Sequence, residues 1–193
     1  MAGGIQKGMV ATDTHARNLD VQCKTVKDKV YAELADIDGL TMQKKLEKDQ
    51  IPGGIGACEP DGGAWFYNGK LIAMFEGKKQ QDAGNAIDRW YKNNYIFRAI
   101  SPVASYVTFA IGEGATENGV ISKTLNIAHL DGFDKYVPGK NSCFRSPNGF
   151  TDQEIYDTMK AVILERIHGQ KPLNIIQKII RSFYAVREVW QEQ

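Results

Sequence analysis

The dipeptide Asn68-Gly69 constrains this chain more than any other feature, because it separates two segments with strong strand preference, AWFY and KLIAMF. A two-residue hairpin turn needs positive φ at both central positions, and Asn-Gly adopts that conformation at the lowest cost. Aromatic and branched residues on both sides favour β-strands. The pattern therefore predicts a tight hairpin in which Tyr67 pairs with Lys70.

The same hairpin brings charged residues together at its open end. Continuing the register from the turn places Asp61 opposite Glu76, with Cβ atoms roughly 5 Å apart on one face of the ladder. Lys78 is predicted to share that face, because side chains alternate along a strand. Facing carboxylates repel, and a bound divalent cation is the simplest reason to keep them, since hard cations take oxygen ligands. A bulge at Gly62-Gly63 would instead rotate Asp61 away.

Length and composition favour an ordinary globular protein. The chain has 193 residues, of which 24% are charged and 42% hydrophobic, and this predicts one domain spanning residues 1–193. The Gly-rich, polar residues 1–14 are predicted to form a loose arm. The apolar runs are too short to cross a membrane, and the N-terminus lacks the apolar core of a signal peptide, so a cytoplasmic protein without membrane partners is expected. Three widely spaced cysteines without a CxxC motif predict reduced thiols.

The rest of the chain is predicted to form further helices and strands. Helical spacing of apolar residues predicts helices at 15–37, 41–49 and 83–100. A nearly all-apolar segment predicts a buried strand at 104–112, and a second strand is expected at 120–128. Residues 131–148 are predicted to form a long loop, and therefore a candidate binding segment. A capping box at Thr151 and Glu154 starts a helix extending to residue 168, and a last helix is predicted at 172–191.

The helix predicted at 83–100 begins with residues suited to nucleic acid. Gly84, Asn85 and Asp88 lie in its first turns, where free backbone N–H groups favour a phosphate or a base edge. Basic residues cluster around the same region: Lys78, Lys79, Arg89, Lys92 and Arg98. The net charge of +1 neither supports nor excludes DNA binding, and a solvated surface is the alternative interpretation of this cluster.

Two acids and a lysine in this order suit metal-assisted phosphodiester hydrolysis. Asp61 and Glu76 would hold Mg²⁺ with the carbonyl of Gly77 as a further ligand, and Lys78 would orient the attacking water or pair with the scissile phosphate. Taken alone the pattern is short, and a hairpin with solvated ends is the alternative. The histidines are widely separated and form no competing site, and no phosphate-binding loop for ATP is present.

The segment that follows the hairpin carries a resemblance. PDGG, a hydrophobic strand ending in EGK, and then AGNAIDRWYKN resemble the type II restriction endonuclease family typified by EcoRI and MunI, within the PD-(D/E)xK superfamily, and SYVTFAIGEG is similar to that family's next strand. The resemblance covers residues 60–114. It implies an α/β fold with a mixed central β-sheet flanked by helices, and Mg²⁺-dependent cleavage of double-stranded DNA.

Position by position, the resemblance assigns catalysis to Asp61, Glu76 and Lys78 and DNA recognition to four residues of the following segment: Gly84, Asn85, Asp88 and Arg89. Asn suits adenine, Arg suits guanine, and an acid accepts from base amino groups. Two departures from the family are the short connection between Lys78 and Gly84, and Asp rather than Glu before Arg89. Glu33 is a possible further carboxylate, for which a surface role is the preferred interpretation.

Three functions are consistent with these residues. The favoured one is a homodimeric nuclease of a restriction-modification system acting on a palindrome. The second is a small catalytic subunit that cuts one strand beside a larger, site-recognising partner. The third is a non-cleaving DNA-binding subunit with a nuclease-like fold, against which the three filled catalytic positions argue.

Overall fold

The protein has an α/β architecture built on a mixed sheet. The computed structural model describes residues 6–54, 56–79, 85–111, 131–133, 135–146 and 149–169, with the side chains of 6–18, 78–79, 85–91, 111 and 133 excepted. Three helices are described, and they are α1 (Gln6–Glu33), α2 (Asn85–Ile100) and α3 (Asp152–His168). The strands are β1 (Leu40–Gln43), β2 (Ala64–Tyr67), β3 (Lys70–Lys79), β4 (Ser105–Ile111), β5 (Gly132–Phe133) and β6 (Asn141–Ser146).

The six strands form one sheet in the order β1-β2-β3-β4-β6-β5. The pairs β1/β2 and β2/β3 are antiparallel, whereas β3/β4, β4/β6 and β5/β6 are parallel. The predicted mixed sheet with flanking helices is confirmed at this level. Since β3 is antiparallel to one neighbour and parallel to the other, the hairpin joins the two halves of the sheet.

Helices cover both faces of the sheet. One core cluster joins α1 and α3 to Trp65, Phe75 and Phe109. The other joins Phe97 of α2 to Met74 and further residues of the opposite face. Alternate residues of β3 therefore point to different helices. A side chain near the end of β3 faces either the α1/α3 layer or the α2 layer.

The predicted hairpin turn is confirmed. Tyr67 pairs with Lys70, and Asn68 and Gly69 have φ of 49° and 74°. The uniform register beyond the turn is wrong, however, because Phe66 pairs with Leu71 whereas Trp65 pairs with Ala73. Ile72 is the extra residue of this bulge, and Ile72 and Ala73 both join the α1/α3 cluster. The bulge shifts every later pairing by one residue.

Several predicted elements change their bounds or type. The first helix starts at Gln6, so the loose arm predicted for residues 1–14 is wrong for 6–14. The helix predicted at 41–49 is wrong, because Leu40–Gln43 is an edge strand and only Lys48–Gln50 forms a short 3₁₀ turn. The loop predicted at 131–148 is also wrong in part, since it contains β5 and β6.

Other predictions are confirmed. The strand predicted at 104–112 is Ser105–Ile111, and the helix predicted from residue 83 is Asn85–Ile100. Thr151 and Glu154 form the predicted capping box of α3, which ends at His168. The strand predicted at 120–128 and the helix predicted at 172–191 lie outside the described residues.

The remaining composition-based expectations concern the thiols and the membrane. Cys23, Cys58 and Cys143 are buried thiols. In the described part of the chain, none of the helices has both the length and the apolar character needed to cross a bilayer.

Candidate functional site

Asp61 lies on a tight turn at the open end of the hairpin. The Gly63 N–H donates to the Pro60 carbonyl at 3.0 Å, which closes a four-residue turn with Asp61 and Gly62 at its centre. Gly63 has φ of 79°, a conformation that glycine adopts without strain. A Cβ at Gly62 would lie 2.5 Å from the Cβ of Phe75. Both glycines of the PDGG segment are therefore required by the turn.

The main chain of this turn is fixed by hydrogen bonds. The Lys27 ammonium of α1 donates to the Asp61 carbonyl at 2.8 Å, and the Trp65 indole donates to the Gly62 carbonyl at 2.9 Å. The Gly62 N–H donates to Phe75 of β3 at 2.9 Å. Since α1, β2 and β3 all hold the turn, the Asp61 backbone has little freedom.

Two hydrogen bonds join Asp61 to the segment formed by Glu76 and Gly77. The Asp61 N–H donates to Glu76 Oε2 at 3.2 Å, and the Gly77 N–H donates to Asp61 Oδ2 at 3.2 Å. The β2/β3 ladder ends at the pair Ala64 and Met74, and Asp61 lies on the turn outside it, so the predicted cross-strand pairing of Asp61 with Glu76 is wrong. The two carboxylates still lie side by side, because each caps the main chain of the other's segment.

Glu76 approaches from the α2 face of the sheet. Glu76 is 3% exposed, and Asn93 of α2 donates to its Oε1 at 3.3 Å. The Cys58 thiol in turn donates to Asn93 Oδ1 at 3.3 Å, which orients the amide. Burial, and after it the charge of Glu76, raises the pKa of the Tyr106 hydroxyl well above its usual value, and Asp61 adds to the effect. Glu76 is thus held by buried polar groups of the α2 layer.

Asp61 instead faces α1. Its side chain is 15% exposed, and the Lys24 ammonium lies 3.7 Å from Oδ1. Burial raises the pKa of Cys23 well above its usual value, and the charges of Asp61 and Glu76 raise it further. The Cys23 thiol on α1 is therefore close enough to both carboxylates for their charges to act on it.

The close approach of α1 depends on Gly77. A Cβ at Gly77 would lie 3.2 Å from the carbonyl oxygen of Leu19 and 3.3 Å from the nitrogen of Asp20. Both atoms belong to the helix backbone, which cannot rotate away as a side chain can. Glycine between Glu76 and Lys78 therefore allows α1 to pack directly against the strand that carries the acids.

Sequence reasoning missed Lys24, Lys27 and Asn93 as parts of this site. Lys27 follows Lys24 by three residues and Cys23 by four, so it neighbours both on the surface of α1. Lys27 follows the apolar Val26 and places a charged residue within the apolar face of the helix. Lys27 is buried. That interruption is the only local signal, since buried lysines are rare unless they have a partner.

The predicted DNA-binding residues lie at the start of α2 and the end of β3. Lys78 and Lys79 belong to β3, and Asn85, Asp88 and Arg89 belong to the first turns of α2; the positions of their side chains, and all of Gly84, lie outside the described residues. Lys92 is exposed and donates to the Ala57 carbonyl at 3.1 Å.

Two further charged residues have structural roles. Arg98 donates to the carbonyls of Pro102, Ala104 and Gly139, so it closes the end of α2 and does not belong to a DNA-facing basic cluster. Glu33 pairs with Lys160 of α3 and is 47% exposed. This ion pair agrees with the surface role preferred for Glu33.

The acid pair fits Mg²⁺ by the chemistry of its donors. Mg²⁺ keeps several waters and is commonly bound by one or two carboxylates. Phe75 exchanges main-chain hydrogen bonds with Gly62 and Gly63 on the β2 side, and main-chain groups two residues further along a strand point to the same side. The Gly77 carbonyl is therefore directed to the edge where Asp61 lies. Over the described ranges, no group of three or more His, Cys, Asp or Glu side chains is arranged as a metal site.

Comparisons with known proteins add no further assignment. No family model, no curated protein and no solved structure matches this chain.

Proposed function

We propose that this chain is a Mg²⁺-dependent endonuclease that hydrolyses phosphodiester bonds of double-stranded DNA at a specific sequence, as the nuclease of a restriction-modification system. The observation that supports this proposal is a pair of hydrogen bonds, each 3.2 Å long, in which Glu76 Oε2 accepts from the Asp61 N–H and Asp61 Oδ2 accepts from the Gly77 N–H. Two carboxylates held this close and this rigidly form a ready site for a hard cation.

The roles of the residues follow from their positions. Asp61 and Glu76 hold Mg²⁺ with the Gly77 carbonyl, and the Lys27 and Asn93 contacts keep the two acids in place. When bound, the ion lowers the pKa of a water and stabilises negative charge on the phosphoryl oxygens. Lys78, two residues after Glu76 in β3, orients the attacking water or pairs with the scissile phosphate.

Sequence recognition is assigned to the start of α2. Gly84, Asn85, Asp88 and Arg89 read base edges, with Lys79 and Lys92 contributing backbone contacts. The site lies toward the carboxyl ends of the parallel strands β3 and β4, which is where α/β proteins commonly bind ligands. Because α2 begins shortly after β3 ends, Glu76 and the recognition residues lie on one short segment of the chain.

Cleavage of both strands requires two copies of this site, so we propose that the enzyme acts as a homodimer on a palindromic sequence. Cytoplasmic localisation belongs to the same proposal, since restriction acts on DNA inside the cell.

The test is cleavage of a mixed-sequence duplex library by the purified chain with Mg²⁺, followed by sequencing of the ends. Discrete double-strand cuts at one sequence support the proposal. Nicks, or cuts only when a second protein is added, support a catalytic subunit of a heterodimer instead. DNA binding without cleavage under any of Mg²⁺, Mn²⁺ or Co²⁺ rejects enzymatic activity.

Two matched variants distinguish the loss of a carboxylate in the candidate site from the loss of one on the protein surface. Asp61→Asn is expected to abolish cutting because it removes a carboxylate charge from the ion, with the fold retained. Asp36→Asn is the control, since Asp36 is exposed and lies beyond the end of α1. Normal cleavage by Asp61→Asn would show that the hairpin is not the active site.

A further inference from the structure

A lysine of α1 lies beside the acid pair and has no role in the function proposed above. The Lys24 ammonium is 3.7 Å from Asp61 Oδ1, and its side chain is 46% exposed. Lys27, almost one helical turn later, is buried and bonded to the Asp61 main chain. The two lysines therefore contact the same residue in different ways, one at its backbone from within the core and one at its carboxylate from the solvent side.

The contact between Lys24 and Asp61 is suited to exchange. An ion pair between partly exposed groups is weak, because water screens the attraction and a long side chain must be ordered. Asp61 Oδ2 is bonded to the Gly77 N–H at 3.2 Å, whereas Oδ1 faces Lys24. A cation that binds Asp61 Oδ1 therefore competes with the Lys24 ammonium for that oxygen.

A displaced ammonium has a second possible partner when DNA is bound. The acid pair repels DNA phosphates, and a lysine at the rim of the pair offsets this repulsion. The Lys24 ammonium provides three N–H donors and a flexible stem, which suits a phosphate oxygen. The position of Lys24 on α1, across the site from α2, would add a contact on the side opposite the recognition helix.

We propose that Lys24 is an exchangeable counter-ion of the active site, an inference that rests on the proposed function. Lys24 pairs with Asp61 in the metal-free protein, and it contacts a DNA backbone phosphate once a divalent cation occupies Asp61. Removing the Lys24 charge is then expected to change the affinities for the cation and for DNA in opposite directions. Cation binding strengthens because a competitor is lost, and DNA binding weakens because a phosphate contact is lost.

The test compares Lys24→Met with Lys29→Met. Both variants lose one positive charge from an exposed position of α1, but Lys29 lies five residues later, which turns it about 140° around the helix. Mg²⁺ and Ca²⁺ binding without DNA is measured by calorimetry, and binding of a random-sequence duplex is measured in Ca²⁺ by fluorescence anisotropy across a salt series. Far-ultraviolet circular dichroism confirms folding.

For Lys24→Met we expect cation affinity to rise about twofold to fivefold, the range of a partly exposed ion pair. The salt dependence of DNA binding should fall by about one phosphate contact. Lys29→Met should change neither quantity by a comparable amount, and Lys24→Arg should restore DNA binding. Unchanged or weaker cation binding by Lys24→Met, or a DNA effect equal to that of Lys29→Met, would overturn the proposal.

Failure of the nuclease function is distinguishable from failure of this proposal. A wild-type protein that binds Mg²⁺ but cuts no duplex rejects the enzyme, while the opposite shifts in cation and DNA affinity still support Lys24 exchange. A wild-type protein that cuts DNA, with a Lys24→Met variant of unchanged cation and DNA affinity, rejects Lys24 alone.

Discussion

Replacing Lys27 by Met is expected to reduce activity far more than stability. Lys27 is 4% exposed, and its ammonium donates to the Asp61 carbonyl at 2.8 Å. Its stem also packs against the turn, since a Cβ at Gly63 would lie 3.3 Å from Lys27 Cδ. Methionine keeps most of this stem and removes only the charged donor, so the substitution isolates the hydrogen bond.

Two opposing free energies determine the change in stability. A hydrogen bond from a charged donor contributes about 1.5–3 kcal/mol, and its loss destabilises the folded state. Against this, burial lowers the pKa of Lys27 from its usual 10.5, which means that the charged form is less favourable in the folded protein than in the unfolded chain. Methionine removes that cost. We therefore expect the free energy of unfolding at pH 7 to change by no more than about 1 kcal/mol.

Activity should respond differently, because the Asp61 main chain loses its contact with α1. Removing a group that orients a metal ligand typically costs 10- to 100-fold in metal affinity or activity. The Mg²⁺ concentration that gives half-maximal cleavage, measured beside urea unfolding of the same preparation, provides both quantities. A loss of several kcal/mol in stability, with unchanged cleavage per folded molecule, would refute a positioning role for Lys27.

The pH dependence of stability gives an independent check. Because the folded-state pKa of Lys27 is lowered, the unfolded chain binds more protons between that pKa and 10.5. Stability of the wild type should therefore rise relative to Lys27→Met as the pH increases through this interval, and the difference should be constant below it. A wild-type advantage that falls with pH in this interval would contradict the burial argument.

Three other substitutions have definite expectations. Gly77→Ala should cost about 1–3 kcal/mol in urea unfolding, because its Cβ would meet the Leu19 carbonyl at 3.2 Å. Asn93→Leu should raise the Mg²⁺ requirement for cleavage about tenfold, since Glu76 loses the donor at 3.3 Å; an unchanged requirement would show that the amide is dispensable. Thr151→Ala removes the cap of α3 and should lower stability by about 1 kcal/mol without affecting cleavage by the folded fraction.

Local chemistry explains which parts of the fold were predictable. The Asn68-Gly69 turn and the Thr151 cap each depend on a few adjacent residues, and both are present as predicted. The segment 41–49 is rich in helix-favouring residues, yet its start pairs as an edge strand with β2. Pairing along a sheet depends on a distant segment, and it overrides local preference here.

The candidate site was predictable only in its acids. Asp61 and Glu76 were found by counting from the turn, and their proximity did not require the register to be uniform. The bulge at Ile72 forms where two consecutive side chains pack under α1 and α3, and sequence periodicity does not reveal a preference of that kind. Lys24 and Lys27 were missed because the face of α1 that meets β3 is set by long-range packing.

The two acids reach the site from opposite layers of the fold, and this has a consequence for how the site forms. Asp61 is held by Lys27 of α1, and Glu76 is held by Asn93 of α2. Neither the hairpin alone nor the hairpin with one helix can therefore fix both carboxylates. Docking of α1 against Gly77 and of α2 into the core cluster that contains Met74 must both be complete before the pair has its geometry. Loosening either helix should weaken cation binding under conditions in which the sheet is still intact, because local opening requires less free energy than global unfolding.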